Sequence, residues 1–144
     1  MKAVFINHCH PEINHVCGVR AGRFAETMAV RGHKIILLTQ TLADKDDSFP
    51  PPELERRLAA HDWRRPFRLS CLPSGDFDAI QARHGTLPAG RQQLAVLWSF
   101  IKHGGMFPDW QAGVVSYISG LAQVFRPDVV WGTFGNTVTW PLCL

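Results

Sequence analysis

KAVFINHCHPEINHVCGVRAGRFAETMAVRGHKIILLT, residues 2–39, decides the fold. It opens with residues 2–7 (KAVFIN), a short apolar run suited to a buried strand. Residues 8–17 read as a loop containing Pro11 and Asn14. Gly18 then opens a helix predicted over residues 19–31 and stopped by Gly32. Residues 34–39 (KIILLT) form a second buried-strand run. A strand–helix–strand unit with a glycine at its first turn begins many nucleotide-handling α/β folds. The turn matters because a helix N-terminus offers N–H groups and partial positive charge to a phosphate.

Beyond this unit, residues 43–52 (ADKDDSFPPP) are acidic and then proline-rich, an exposed loop. Residues 53–61 predict a helix with Leu54, Leu58 and Ala59 on one face, and residues 67–72 (FRLSCL) a third strand. Residues 76–90 read mostly as loop. Residues 91–103 (RQQLAVLWSFIKH) predict a helix with Leu94, Leu97, Trp98 and Ile101 at helical spacing, ended by Gly104-Gly105. Asp109 is a candidate N-cap for a helix over 110–125, which Arg126-Pro127-Asp128 ends. Residues 129–134 (VVWGTF) give a fourth strand, and residues 137–144 (TVTWPLCL) the first turns of a last helix. The expected architecture is a single Rossmann-like α/β domain over residues 1–144, a parallel sheet with helices on both faces.

A chain of 144 residues is one domain's worth, and its net charge of +3 does not imply nucleic acid. The arginines are scattered except around Arg56, Arg57, Arg64, Arg65 and Arg68, where Glu53, Glu55 and Asp62 intervene. Cys9, Cys17, Cys71 and Cys143 form no CxxC pair and read as reduced thiols of a cytoplasmic protein. The first residues lack a signal peptide's apolar core, and nothing approaches the length of a spanning helix. Peripheral contact with the inner face of a membrane stays open, with Trp63 in its charged loop as the tryptophan to contact an interface or a partner. The other tryptophans, Trp98, Trp110, Trp131 and Trp140, are expected mostly in the core. The almost wholly apolar stretch 137–144 leads us to expect a domain incomplete at this end or covered there by a partner. Self-association through Val138, Trp140, Leu142 and Leu144 is the corresponding expectation.

Several of these segments carry a family likeness. Cys17-Gly18-Val19 before a helix, Arg31-Gly32-His33-Lys34 at the return into a strand, and Arg126-Pro127-Asp128-Val129-Val130 before Trp131-Gly132-Thr133 resemble the N-terminal domain of family-4-like (group 1) GT-B glycosyltransferases. Phe107-Pro108-Asp109-Trp110 is similar to a further motif of several members. The likeness covers nearly all of the chain through short motifs. It implies two Rossmann-like domains across a cleft: an acceptor-side domain, which this chain matches, and a donor-binding domain, which it does not include. The implied partners are a nucleotide-diphosphate sugar and a sugar, lipid-linked or cell-envelope acceptor. The implied site needs no metal and no further cofactor, and the chain alone is expected to be inactive.

Candidate site residues follow. Gly18 and Val19 would bring backbone N–H groups to the donor diphosphate, with Arg20 beside them; the plainer account is a glycine required by the turn and an arginine in solvent. His8, His10 and His15 would line the acceptor mouth at the carboxyl end of the first strand, or would be surface histidines of a loop. Asn136 and Thr137 would meet a sugar hydroxyl or cap the last helix. Two other functions stay open: a non-catalytic Rossmann-like module that binds a nucleotide or a partner chain, and a metal-binding protein using the His8–Cys17 loop.

Overall fold

The computed structural model describes residues 1–12, 15–41, 49–71, 89–103 and 108–132. Four strands, β1 (Lys2–Ile6), β2 (Lys34–Gln40), β3 (Phe67–Cys71) and β4 (Val129–Gly132), form one sheet in the order β3-β2-β1-β4. Every pairing is parallel. The register aligns Val4 with Ile36 on one side and with Val130 on the other. Such strands must be apolar on both faces, and β1 and β2 meet this with the runs Ala3–Ile6 and Ile35–Leu38, all buried. The α/β class and the parallel sheet with helices on both faces are as the sequence implies.

Alternation along the strands builds two cores. Ala3, Phe5, Ile35 and Leu37 face α1 (Val16–Val30), which meets them with Ala21, Ala25 and Ala29. Three alanines at helical spacing let the helix backbone approach the sheet closely. Val4, Ile6, Ile36, Leu38, Phe67 and Leu69 face the other way, under α2 (Pro51–Ala60) and α4 (Pro108–Phe125). The remaining described helix, α3 (Ala89–His103), precedes α4 in the chain. Leu54 and Leu58 carry the buried stripe of α2, whereas Ala59 is exposed. On α4, Trp110, Val114, Leu121 and Phe125 are buried.

One consequence of this division is unusual. The connections β1–α1–β2 and β2–α2–β3 step the same way across the sheet, yet their helices lie on opposite faces. Two such connections have opposite hands, so the normal right-handed sense holds for only one of them. The face of β3 on the α1 side carries the buried Ser70 and Arg68, whose guanidinium meets Glu26 of α1 at 3.4 Å and Glu12 at 3.6 Å.

Local chemistry fixes the ends. Gly32 follows α1 at φ +86°, the left-handed conformation glycine adopts without a Cβ penalty, and its N–H donates to the Ala29 carbonyl at 2.9 Å. At the opposite edge the Lys2 N–H donates to Asp128 Oδ2 (2.7 Å) and the Asp128 N–H returns to the Lys2 carbonyl (2.8 Å). This latch holds β4 against β1.

Several boundaries and burials correct the sequence reading. α1 begins at Val16, so Gly18 lies inside its first turn. α4 begins at Pro108, which places Asp109 in the first turn rather than before it. Trp98 is 59% exposed and Trp131 is 39% exposed, so of the tryptophans expected inside only Trp110 is buried among the described residues. Trp63 is half-buried: its ring stacks on Phe125 at 5.6 Å, and the Lys34 ammonium lies 5.5 Å above it. The loop expected over 76–90, Trp140 and the apolar stretch 137–144 lie outside the described residues, apart from Ala89 and Gly90, which open α3.

Candidate functional site

In an open parallel sheet, ligands bind beyond the carboxyl ends of the strands, where neighbouring connections diverge. Here that point lies between β1, whose chain leaves toward β2, and β4 on its other side. The β1–α1 loop and the N-terminus of α1 occupy it.

Asn7 organises the loop. It is buried, and its side-chain amide donates to the carbonyl of Cys9 (2.9 Å) and to that of Cys17 (3.2 Å). One side chain thus ties the loop to the first turn of α1. Sequence alone ends the first strand at Asn7. A polar residue closing a buried apolar run was the available signal, because burial there demands hydrogen bonds.

The turn packs backbone on backbone. A Cβ at Gly18 would lie 2.3 Å from the His10 carbonyl oxygen and 3.0 Å from its carbon. The glycine is therefore required by the path of the β1–α1 loop across the helix, whatever the helix N-terminus binds. The Val19 N–H closes the first helical turn on the His15 carbonyl at 3.1 Å, so it is already engaged. Arg20 is exposed. Together with Arg23, Phe24 and Trp131 it lines a groove of about 620 Å³ beside α1. Phe5, Phe24 and Trp131 form one aromatic group there, with ring centres 5.0–5.3 Å apart.

The three histidines part company. His8 continues the alternation of Val4 and Ile6 into the core under α4, where its ring meets Trp110 edge-to-face at 5.2 Å. Burial lowers its pKa from 6.5 to about 4, so it is neutral at pH 7. His10 is half-buried, and its Nδ1 accepts the Glu12 N–H at 3.2 Å. His15 is the N-cap of α1: its Nδ1 accepts the Cys17 N–H at 3.3 Å and lies 3.6 Å from Cys9 Sγ. Burial, with the nearby Cys17 adding to it, raises the Cys9 thiol above its usual range and keeps it protonated. Among the described residues, no three His, Cys, Asp or Glu side chains are placed to hold a metal ion. The cluster that looks continuous in sequence is divided between core, loop and cap. Asn136 and Thr137 lie outside the described residues.

The site is therefore a tied loop with His10 and His15 on it, a helix N-terminus, and a groove with arginines and aromatic rings. Such an arrangement can bind an anionic or hydroxyl-rich ligand. The chain matches no family model, no curated protein and no solved structure.

Proposed function

We propose that this chain is the acceptor-side domain of a GT-B-type glycosyltransferase, acting on a nucleotide-diphosphate sugar and a sugar, lipid-linked or cell-envelope acceptor. One observation carries the reading. The β1–α1 loop and the start of α1 lie at the divergence point of a β3-β2-β1-β4 parallel sheet. The sequence motifs at residues 17–19 and 31–34, and the described part of the third at 126–132, fall at the start of α1, at the turn into β2 and at β4. His10 and His15 would face the acceptor, and Gly18 with Arg20 the diphosphate side.

A second reading, a non-catalytic binding module, is favoured by the chemistry of the histidines. His8 is a weak base held in the core, and His15 is committed to capping. Neither is poised as a general base for a hydroxyl. Amide chemical shifts recorded while the chain is titrated with uridine, guanosine and adenosine diphosphates test both. Shifts confined to residues 8–20 and the end of β4, weakened by Arg20→Ala, support a nucleotide-diphosphate site. Added acceptor oligosaccharides that shift His10 and His15 then favour the transferase domain over a nucleotide-only module. Absence of any shift with either ligand class sinks the transferase reading and the nucleotide-binding form of the second.

A further inference from the structure

The apolar stripe of α3 has no cover among the described residues. Leu94, Leu97, Trp98 and Ile101 are 66%, 56%, 59% and 71% exposed. At about 100° per residue they fall on one strip roughly 100° wide, the width of an ordinary buried helix face. Arg91 and Lys102, both exposed, project along the same flank of that strip, next to Trp98. Residues 79–108 include Arg83, Arg91 and Lys102 and not one Asp or Glu.

We propose that α3 lies on an anionic lipid surface, with Leu94, Leu97, Trp98 and Ile101 in the acyl boundary and Arg91 and Lys102 among the headgroups. The inference does not rest on the transferase reading. Aliphatic side chains, a tryptophan and flanking cations are what an interfacial helix uses. No described helix is long and apolar enough to cross a membrane, which fits a helix lying in the plane. Charge decides against a second copy of the chain. Two α3 stripes packed antiparallel would set Arg91 of one copy against Lys102 of the other, with no carboxylate on the helix to pair them. A bilayer of anionic lipid supplies the missing negative charge and needs no shape complement.

Flotation of the full chain with vesicles tests this. Phosphatidylcholine vesicles containing about one-third phosphatidylglycerol should carry the protein, and salt should weaken the binding, as expected for a surface potential. Leu97→Gln with Ile101→Gln should lower the partition coefficient about tenfold or more. Lys102→Glu, a change of two charges, should lower it about thirtyfold on anionic vesicles and leave binding to pure phosphatidylcholine unchanged. All these side chains are exposed, so each variant should keep the wild-type far-UV circular dichroism and urea midpoint. Failure to float with anionic vesicles overturns the proposal, as does flotation that the Gln pair does not alter. A dimer in solution that the Gln pair dissociates, with no vesicle binding, assigns the stripe to a second copy instead.

Discussion

Gly18→Ala probes the packing of the β1–α1 loop. The new methyl carbon would sit 2.3 Å from the His10 carbonyl oxygen, whereas real Cβ contacts essentially never fall below 3.0 Å. The loop or the helix must therefore retreat by at least about 0.7 Å, and the atom in the way is backbone, so no rotamer change relieves it. The Asn7 amide holds the flanking Cys9 and Cys17 carbonyls at 2.9 and 3.2 Å, so a retreat also strains those bonds. Overpacking of this kind costs about 1–3 kcal/mol, and a weakened buried hydrogen bond about 1 kcal/mol more. Against this stands the helix propensity of alanine, about 1 kcal/mol over glycine. The net expectation is a loss of about 1–3 kcal/mol, read as a lower urea midpoint at unchanged m-value. Gly120→Ala is the internal control. Its Cβ would meet only Pro51 Cγ at 3.5 Å, an ordinary contact, so it should gain up to about 1 kcal/mol. If Gly18→Ala is as stable as the wild type while Gly120→Ala gains, the close approach at His10 is wrong.

Three further outcomes are expected. His8 binds a proton with a pKa of about 4 folded against 6.5 unfolded, so the unfolded state takes up more protons between these values. Stability should fall as pH drops from 6.5 toward 4, by about 3 kcal/mol in total, and be independent of His8 above pH 7. The difference between wild type and His8→Gln across a urea series at several pH values measures it, and parallel curves would exclude the buried site. Trp110→Ala, at a fully buried position, should cost about 3–5 kcal/mol and is read by thermal unfolding; a loss below 1 kcal/mol would remove Trp110 from the core. Asn7→Ala should cost about 1–3 kcal/mol by leaving the Cys9 and Cys17 carbonyls without this donor. It should also speed amide exchange at residues 15–18, and unchanged exchange there would mean the tie is not stabilising.

The sheet was legible because a strand buried on both faces leaves an unbroken apolar run. Residues 2–6 and 34–40 carry one each. The start of α1 was misplaced because histidine is an uncommon cap and a glycine is usually read as a turn; here His15 caps and Gly18 clears the His10 carbonyl. The period of α3 announced a helix with one apolar face, but period alone does not say what that face meets. Trp63 misled through its neighbours. Asp62, Arg64 and Arg65 point to solvent, while the ring between them stacks on Phe125. Of the candidate site, the loop histidines lay near the carboxyl end of β1, as their order implied, but alternation along that strand sent His8 inward.

The latch between Lys2 and Asp128 spans 126 residues of chain. During synthesis β1 can pair with β2 early, but its other edge must wait for β4. The roughly ninety residues between β2 and β4 take several seconds to emerge from a ribosome at about 5–20 residues per second. For that interval the nascent chain carries the apolar run Ala3–Ile6 with one row of backbone groups unpaired, a template for any passing strand. Production of this protein should therefore depend on chaperone supply more than its final stability would suggest. Slowing elongation between residues 40 and 129 should raise the aggregated fraction.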